Sequence, residues 1–190
     1  MKSDFKVVLI GGSAGSLPTV TRILQQLPSP FKVPVVIIVH RQKNIHSEMA
    51  RILEIHSGQK KIMEPEDKQP IEPGHIYLAP QNYHLLFEDQ HTFSLDYSEL
   101  VQYSRPSIDV TFESAASVFK QSTLCVLVSG SNNDGTRGIE AILQNGGKAL
   151  VQEPASAEYN VMPLSALQMN PLAQSVAPDK IGTFITDIIG

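Results

Sequence analysis

The chain has 190 residues, 42% of them hydrophobic, enough to bury the core of one domain, and a single domain over 1–190 is expected. Its formal net charge is −4 and its basic residues are scattered in ones and twos, so the basic stripe that phosphate backbones need is missing and no nucleic-acid partner is expected. No apolar run approaches the ~18 residues of a membrane span, Asp4 and Lys6 interrupt the start where a signal peptide would be apolar, and the single cysteine, Cys125, cannot form an internal disulfide; a cytoplasmic protein without direct membrane insertion is expected.

Residues 7–10, VVLI, are aliphatic without alternation, as in a strand buried on both faces of a parallel sheet. The run stops at Gly11-Gly12-Ser13-Ala14-Gly15, a G-x-S-x-G pattern. It predicts a sharp strand-to-helix turn that holds the Ser13 hydroxyl clear of the backbone, with glycines on both sides supplying unusual dihedrals. The glycines do not satisfy G-x-G-x-x-G and no G-K-[ST] follows, so a phosphate cradle fits less well than a nucleophile turn. Ser16 is placed to cap a helix with Pro18 in its first turn and Leu17, Val20, Ile23, Leu24 and Leu27 on its apolar face; Pro28 and Pro30 end it. A second buried strand, Val35–Val39, ends at His40, where a dinucleotide site would want an acid. Ser47 then caps a short helix with Met49, Ile52 and Leu53 inward, stopped at Gly58.

Residues 64–74, rich in proline and acid, read as a surface loop. Residues 75–79, 83–87 and 91–97 alternate polar and apolar side chains and predict an antiparallel flap with one wet face and a turn at Asp89-Gln90. Ser104 ahead of Pro106 opens a helix with Ile108, Phe112, Ala115, Ala116 and Phe119 inward. Residues 124–128 are a third buried strand with Cys125 as a small hydrophobe, followed by the loop 129–135 and a helix through Leu143 that stops at Gly146-Gly147. A strand at 149–151, a helix at 162–169 and a last helix from Pro178-Asp179, with Ile181, Phe184, Ile185 and Ile188 inward, complete the chain. The alternation predicts an α/β fold: a doubly wound, mostly parallel sheet with helices on both faces and a small antiparallel hairpin.

In such sheets sites form beyond the carboxyl ends of the strands. Ser13, His40 and Asp134 each follow one. A serine is a poor nucleophile until an imidazole takes its proton, and the imidazole needs a carboxylate to fix its tautomer. Taken singly, Ser13 reads as a turn residue or phosphate ligand, His40 as a strand-end histidine, and Asp134 as a turn or cap residue before Gly135. Their joint placement is what suggests a triad. His46, His56, His75, His84 and His91 read as surface or flap residues, since they lack H-E-x-x-H spacing, and with one cysteine no usual zinc set can be assembled. No metal or cofactor is expected. Met162-Pro163 and Arg105-Pro106 read as helix openings.

Several ordered blocks carry a resemblance: IGGSAGS at 10–16, VHRQKN at 39–44, PGHIYLAPQNYHL at 73–85, SRPSIDVTFESAA at 104–116, LVSGSNNDGTRG at 127–138 and VMP at 161–163. Over essentially its whole length the chain resembles the C-terminal catalytic domain of the chemotaxis protein-glutamate methylesterases, the CheB family. The resemblance puts the family's nucleophile, histidine and aspartate on Ser13, His40 and Asp134, and its backbone oxyanion donors on Ala14 and Ser131. It implies hydrolysis of γ-glutamyl methyl esters on the helical cytoplasmic bundle of methyl-accepting chemotaxis receptors, with release of methanol, and in many members deamidation of receptor glutamines. The receiver domain that usually precedes this domain is not expected within 1–190. Ala14 and Ser16 replace the family's usual Thr and Gly, Val39-His40-Arg41-Gln42 its Gln-His-Met-Pro, and Ser131 its Met. The change at 39–42 alters the rim of the site, while Ala14, Ser16 and Ser131 speak for the alternative, a degenerate receptor-binding or signalling module with little turnover.

Overall fold

The apolar run at the start of the chain becomes the middle of the sheet. A computed structural model describes residues 4–42, 47–58 and 60–189. In chain order the elements are β1 (Val7–Gly12), α1 (Leu17–Gln26), β2 (Val35–Val39), α2 (Met49–His56), β3 (Ile62–Met63), β4 (Ile76–Leu78), β5 (His84–Phe87), β6 (Phe93–Asp96), α3 (Ile108–Phe119), β7 (Thr123–Leu127), α4 (Thr136–Gln144), β8 (Lys148–Gln152), α5 (Val161–Met169), β9 (Gln174–Val176) and α6 (Ile181–Ile189). Seven strands form a parallel sheet in the order β3-β4-β2-β1-β7-β8-β9, and β5 and β6 form an antiparallel hairpin. β1 has β2 on one side and β7 on the other, so the strand order reverses there, and the crevice at such a switch point is where these sheets hold ligands.

The missing alternation of β1 follows from its two faces. Val7 and Leu9 enter a core built with Ile108, Phe112, Ile139, Ile142, Met162 and Ala166 of α3, α4 and α5. Val8 and Ile10 enter another, built with Val20, Ile23, Leu24, Leu53, Ile181 and Ile185 of α1, α2 and α6. With both faces dry, every position must be apolar. The fold is therefore the doubly wound α/β class that the run of elements predicts, with helices on both faces of the sheet.

Several local expectations are corrected. Ile76–Leu78 leaves the flap and pairs parallel with β2 and β3. Its Tyr77 reads as a polar position, but the ring is buried and the hydroxyl accepts the Glu72 N–H at 3.0 Å. α3 starts at Ile108 with Ser107 as its cap, whose Oγ accepts the Val110 N–H at 3.4 Å; Ser104 instead bridges to Val101. Ser16 stands at the cap position of α1 without capping it, because its backbone is already helical (φ −79, ψ −27) and turns Oγ into a buried place without a partner among the described residues. Ser47 lies one residue ahead of the α2 cap, where its Oγ accepts the Met49 N–H at 3.3 Å. His46 lies outside the described residues.

Candidate active site

Three adjacent strands, β2, β1 and β7, end side by side and deliver the three residues. Beyond β1 the Ser13 N–H donates to the Ser129 carbonyl at 2.9 Å, and the Ser16 N–H donates to the Ser13 carbonyl at 3.1 Å, closing the turn into α1. Within this turn the positive φ belongs to Gly15, at +70. Gly11 and Gly12 serve a different need from the one expected: a Cβ on either would lie 2.6 Å from Ile108 Cγ2 or Ser16 Cβ, so they make room rather than unusual dihedrals. Beyond β2 the His40 N–H continues the ladder to the Gly12 carbonyl at 3.3 Å, which sets the imidazole beside Ser13.

The ring joins two side chains. Ser13 Oγ lies 3.1 Å from His40 Nδ1, and His40 Nε2 lies 2.7 Å from Asp134 Oδ2. Asp134 is fully buried at the start of α3. Its Oδ1 accepts from Ser107 Oγ at 3.0 Å and the Asp109 N–H at 2.9 Å, and its Oδ2 also accepts the Ile108 N–H at 2.8 Å. Burial alone would push this carboxyl up, but the bond from His40 and the helix-terminal amides outweigh it and hold it below the ordinary carboxylate value. An ionised carboxylate only accepts, so Nε2 carries the proton and the Nδ1 lone pair faces the serine hydroxyl.

The expected backbone donors have a common geometry. In a trans peptide the N–H points opposite to the preceding carbonyl. The carbonyl before Ala14 is held by the Ser16 N–H, and the carbonyl before Ser131, that of Gly130, is held by the Met162 N–H at 3.0 Å. Both amides are thus turned away from these ties, and neither donates to an acceptor among the described residues. Ser129 locks the two loops together: its Oγ donates to the Ala14 carbonyl at 2.8 Å and accepts the Tyr159 N–H at 3.0 Å.

Other residues of the site escape a reading of the sequence. His84 is on the hairpin, as expected, but is fully buried: Nδ1 accepts the Ser107 N–H at 3.2 Å and Nε2 donates to the Glu99 carbonyl at 3.0 Å, which holds the start of α3. Arg41 is a brace. Its nearly buried guanidinium donates to Glu64 Oε1 and to the Ala79 carbonyl, each at 2.6 Å, tying the end of β2 to the segments around β3 and β4. Asp109 is buried as well, and burial, aided by the charge of Asp134, pushes its carboxyl up to about 6. Among the described residues no cluster of three or more His, Cys, Asp or Glu could hold a metal ion, and no helix is long and apolar enough to cross a membrane. A cavity of about 310 Å³ lined by Phe5, Lys6, Pro34, His91 and Phe119 lies at the amino ends of β1 and β2, the opposite end from Ser13.

Comparison with known proteins bears on the family and the fold. The family model described as CheB methylesterase matches residues 8–185. A Leptospira interrogans protein named for protein-glutamate methylesterase and protein-glutamine glutaminase is 41% identical over 178 residues, covering 94% of this chain and 92% of that one. A Thermotoga maritima protein-glutamate methylesterase/protein-glutamine glutaminase is 30% identical over 166 residues, covering 86% of this chain but 48% of that one. The crystal structure of the Thermotoga maritima CheB methylesterase catalytic domain superposes with a TM-score of 0.89 at 27% identity, covering 97% of this chain and 98% of that one.

Proposed function

The chain belongs to the CheB methylesterase family, and on that premise we propose that it is a serine hydrolase that removes methyl esters from glutamate side chains of methyl-accepting chemotaxis receptors. The observation that carries the reading is the unbroken line from Ser13 Oγ through the His40 ring to Asp134, with steps of 3.1 and 2.7 Å. Ser13 Oγ attacks the γ-carbonyl while its proton passes to Nδ1, and the imidazolium is steadied by the ionised Asp134 at Nε2. The oxyanion is received by the N–H groups of Ala14 and Ser131, a stabilisation of about 3–4 kcal/mol per donor in other hydrolases. The Nδ1 proton then goes to the methoxide, which leaves as methanol. Water enters, gives its proton to Nδ1 and attacks the acyl carbon, releasing glutamate and restoring Ser13.

An amide in the same position would expel ammonia by the same steps, so glutamine deamidation is part of the proposal; the second activity in the names of the relatives supports it. The substrate is the helical cytoplasmic bundle of the receptors, which places the enzyme in the cytoplasm. Incubation with methylated receptor membranes tests the reading. Methanol should be released, and Ser13→Ala should lower the rate by about 10⁴-fold or more. Equal release by that variant would overturn the assignment.

A further inference from the structure

Gly135 opens α4 at a φ of +96 and has no side chain, so that helix gets no side-chain cap from its own cap residue; the Thr136 N–H turns back to the Asn133 carbonyl at 3.2 Å. The cap comes from another helix. Asp109, in the first turn of α3, accepts the N–H groups of Gly135 and Gly138 on one oxygen, Oδ1, at 2.8 Å each. Its own N–H donates to Asp134 Oδ1 at 2.9 Å, and Asp134 immediately precedes Gly135. Gln102 Nε2 fixes the other oxygen of Asp109 at 2.9 Å. The helices are too close for a larger residue at 138: a Cβ there would stand 2.4 Å from Phe112 Cβ and 3.2 Å from Asp109 Cα.

We propose that Asp109 is a positioning residue of the hydrolase: by clamping Gly135 and Gly138 it fixes the peptide that follows Asp134, and so aims Asp134 at His40. The inference rests on the relay proposed above. A plain helix cap grips amides of its own helix from the residue at its start, whereas Asp109 reaches across from α3 to Gly135 and Gly138. Here a carboxylate is buried beside a second carboxylate, which opposes folding, and the amides it grips belong to the turn that carries Asp134. That turn is also tied upstream through Ser129 and Gly130, internally by the Asp134 N–H on Asn132 Oδ1 at 3.2 Å, and further on by Asn170 Nδ2 on the Thr136 carbonyl at 3.0 Å. Asp109 adds the tie on the amide that directly follows Asp134.

The test compares Asp109→Ala and Asp109→Asn with the unaltered chain by ester turnover, thermal unfolding and the proton spectrum, where an imidazole N–H bonded to a carboxylate stands far downfield. In Asp109→Ala, kcat should fall by about tenfold or more at nearly constant KM, with loss of the downfield signal, because the aim of Asp134 affects the proton relay rather than binding. Asp109→Asn keeps an oxygen for the two amides and should restore the signal and most of kcat. An alanine variant that loses thermal stability yet keeps kcat and the downfield signal has lost only a cap, and overturns the proposal. If the alanine variant does not fold, Asp109→Glu replaces it: a displaced signal with lower kcat supports the clamp, and both unchanged overturn it. A downfield signal that depends on Asp109 in a chain without Ser13-dependent turnover would sink the methylesterase reading and leave the clamp standing.

Discussion

Asp134 and Asp109 each hold the helix to which the other is attached. Asp134, just before α4, accepts the Ile108 and Asp109 amides that begin α3, while Asp109, inside α3, accepts the Gly135 and Gly138 amides that begin α4. Both are buried, yet their carboxyls are pushed in opposite directions, Asp134 down and Asp109 up to about 6. The difference lies in the partners: Asp134 has the imidazole as well as amides, whereas the charge nearest Asp109 is another carboxylate.

The raised carboxyl of Asp109 predicts a pH dependence of stability. The unfolded chain releases this proton near the ordinary value of 3.8 and the folded chain near 6, so stability is lost as pH rises through that window, by about 3 kcal/mol. Asp109→Asn cannot ionise and keeps an acceptor for Gly135 and Gly138. Urea unfolding at pH 4.5, 5.5, 6.5 and 7.5 should show the variant gaining on the unaltered chain as pH rises. A constant difference would contradict the burial argument.

Asp134 works in the reverse sense. Its lowered carboxyl contributes stability that is present above the ordinary value and lost as pH falls below it. Asp134→Asn turns an amide N–H₂ towards donors, either Ser107 Oγ and the Asp109 N–H or the Ile108 N–H and His40 Nε2. Turnover should drop by about 10⁴-fold, as in other triads that lose the carboxylate, and folding should weaken by about 1–3 kcal/mol from the unmatched buried donors. Ester kinetics and chemical denaturation read the two effects separately.

Ser129→Ala tests the lock between the serine turn and its neighbouring loop. The Ala14 carbonyl would lose the hydroxyl that donates to it and the Tyr159 N–H its acceptor, at a cost of about 1–3 kcal/mol. Turnover should fall with little change in KM, because the turn would hold Ser13 and the Ala14 amide less firmly. Ser129→Thr keeps the hydroxyl and should recover activity in the same assay.

Gly138→Ala forces a methyl group between α3 and α4 where Phe112 Cβ stands 2.4 Å away. Overpacking of this kind costs about 1–3 kcal/mol, and separation of the helices would lengthen the bonds from Gly135 and Gly138 to Asp109. Stability and kcat should fall together. A crystal structure of the variant would show which helix yields.

The relay residues are legible because Ser13 and His40 directly follow apolar runs and Asp134 lies in the loop after a third, and a parallel sheet gathers the carboxyl ends of its strands along one edge. The resemblance across the motif blocks pointed to the same three side chains. Asp109 was not legible: in SRPSID it reads as an ordinary first-turn acid, and the amides it serves lie 26 and 29 residues further on. His84 sits in an alternating run and reads as wet, but its burial is created by the start of α3. β3 and β9, of two and three residues, are too short for periodicity to register, and their pairing is decided by the strands already in place. Between Ser104 and Ser107 the choice of cap depends on tertiary partners, since Ser107 also meets Asp134 and His84.

The orientation of the His40 ring, with Ser13 at Nδ1 and Asp134 at Nε2, also fixes where chemistry would leave a mark. A reactive ester analogue that captures the general base would alkylate the nitrogen next to Cγ, giving π-substituted rather than τ-substituted histidine. Hydrolysis of the labelled chain and separation of the two methylhistidine isomers would read the edge of the ring that faces the substrate.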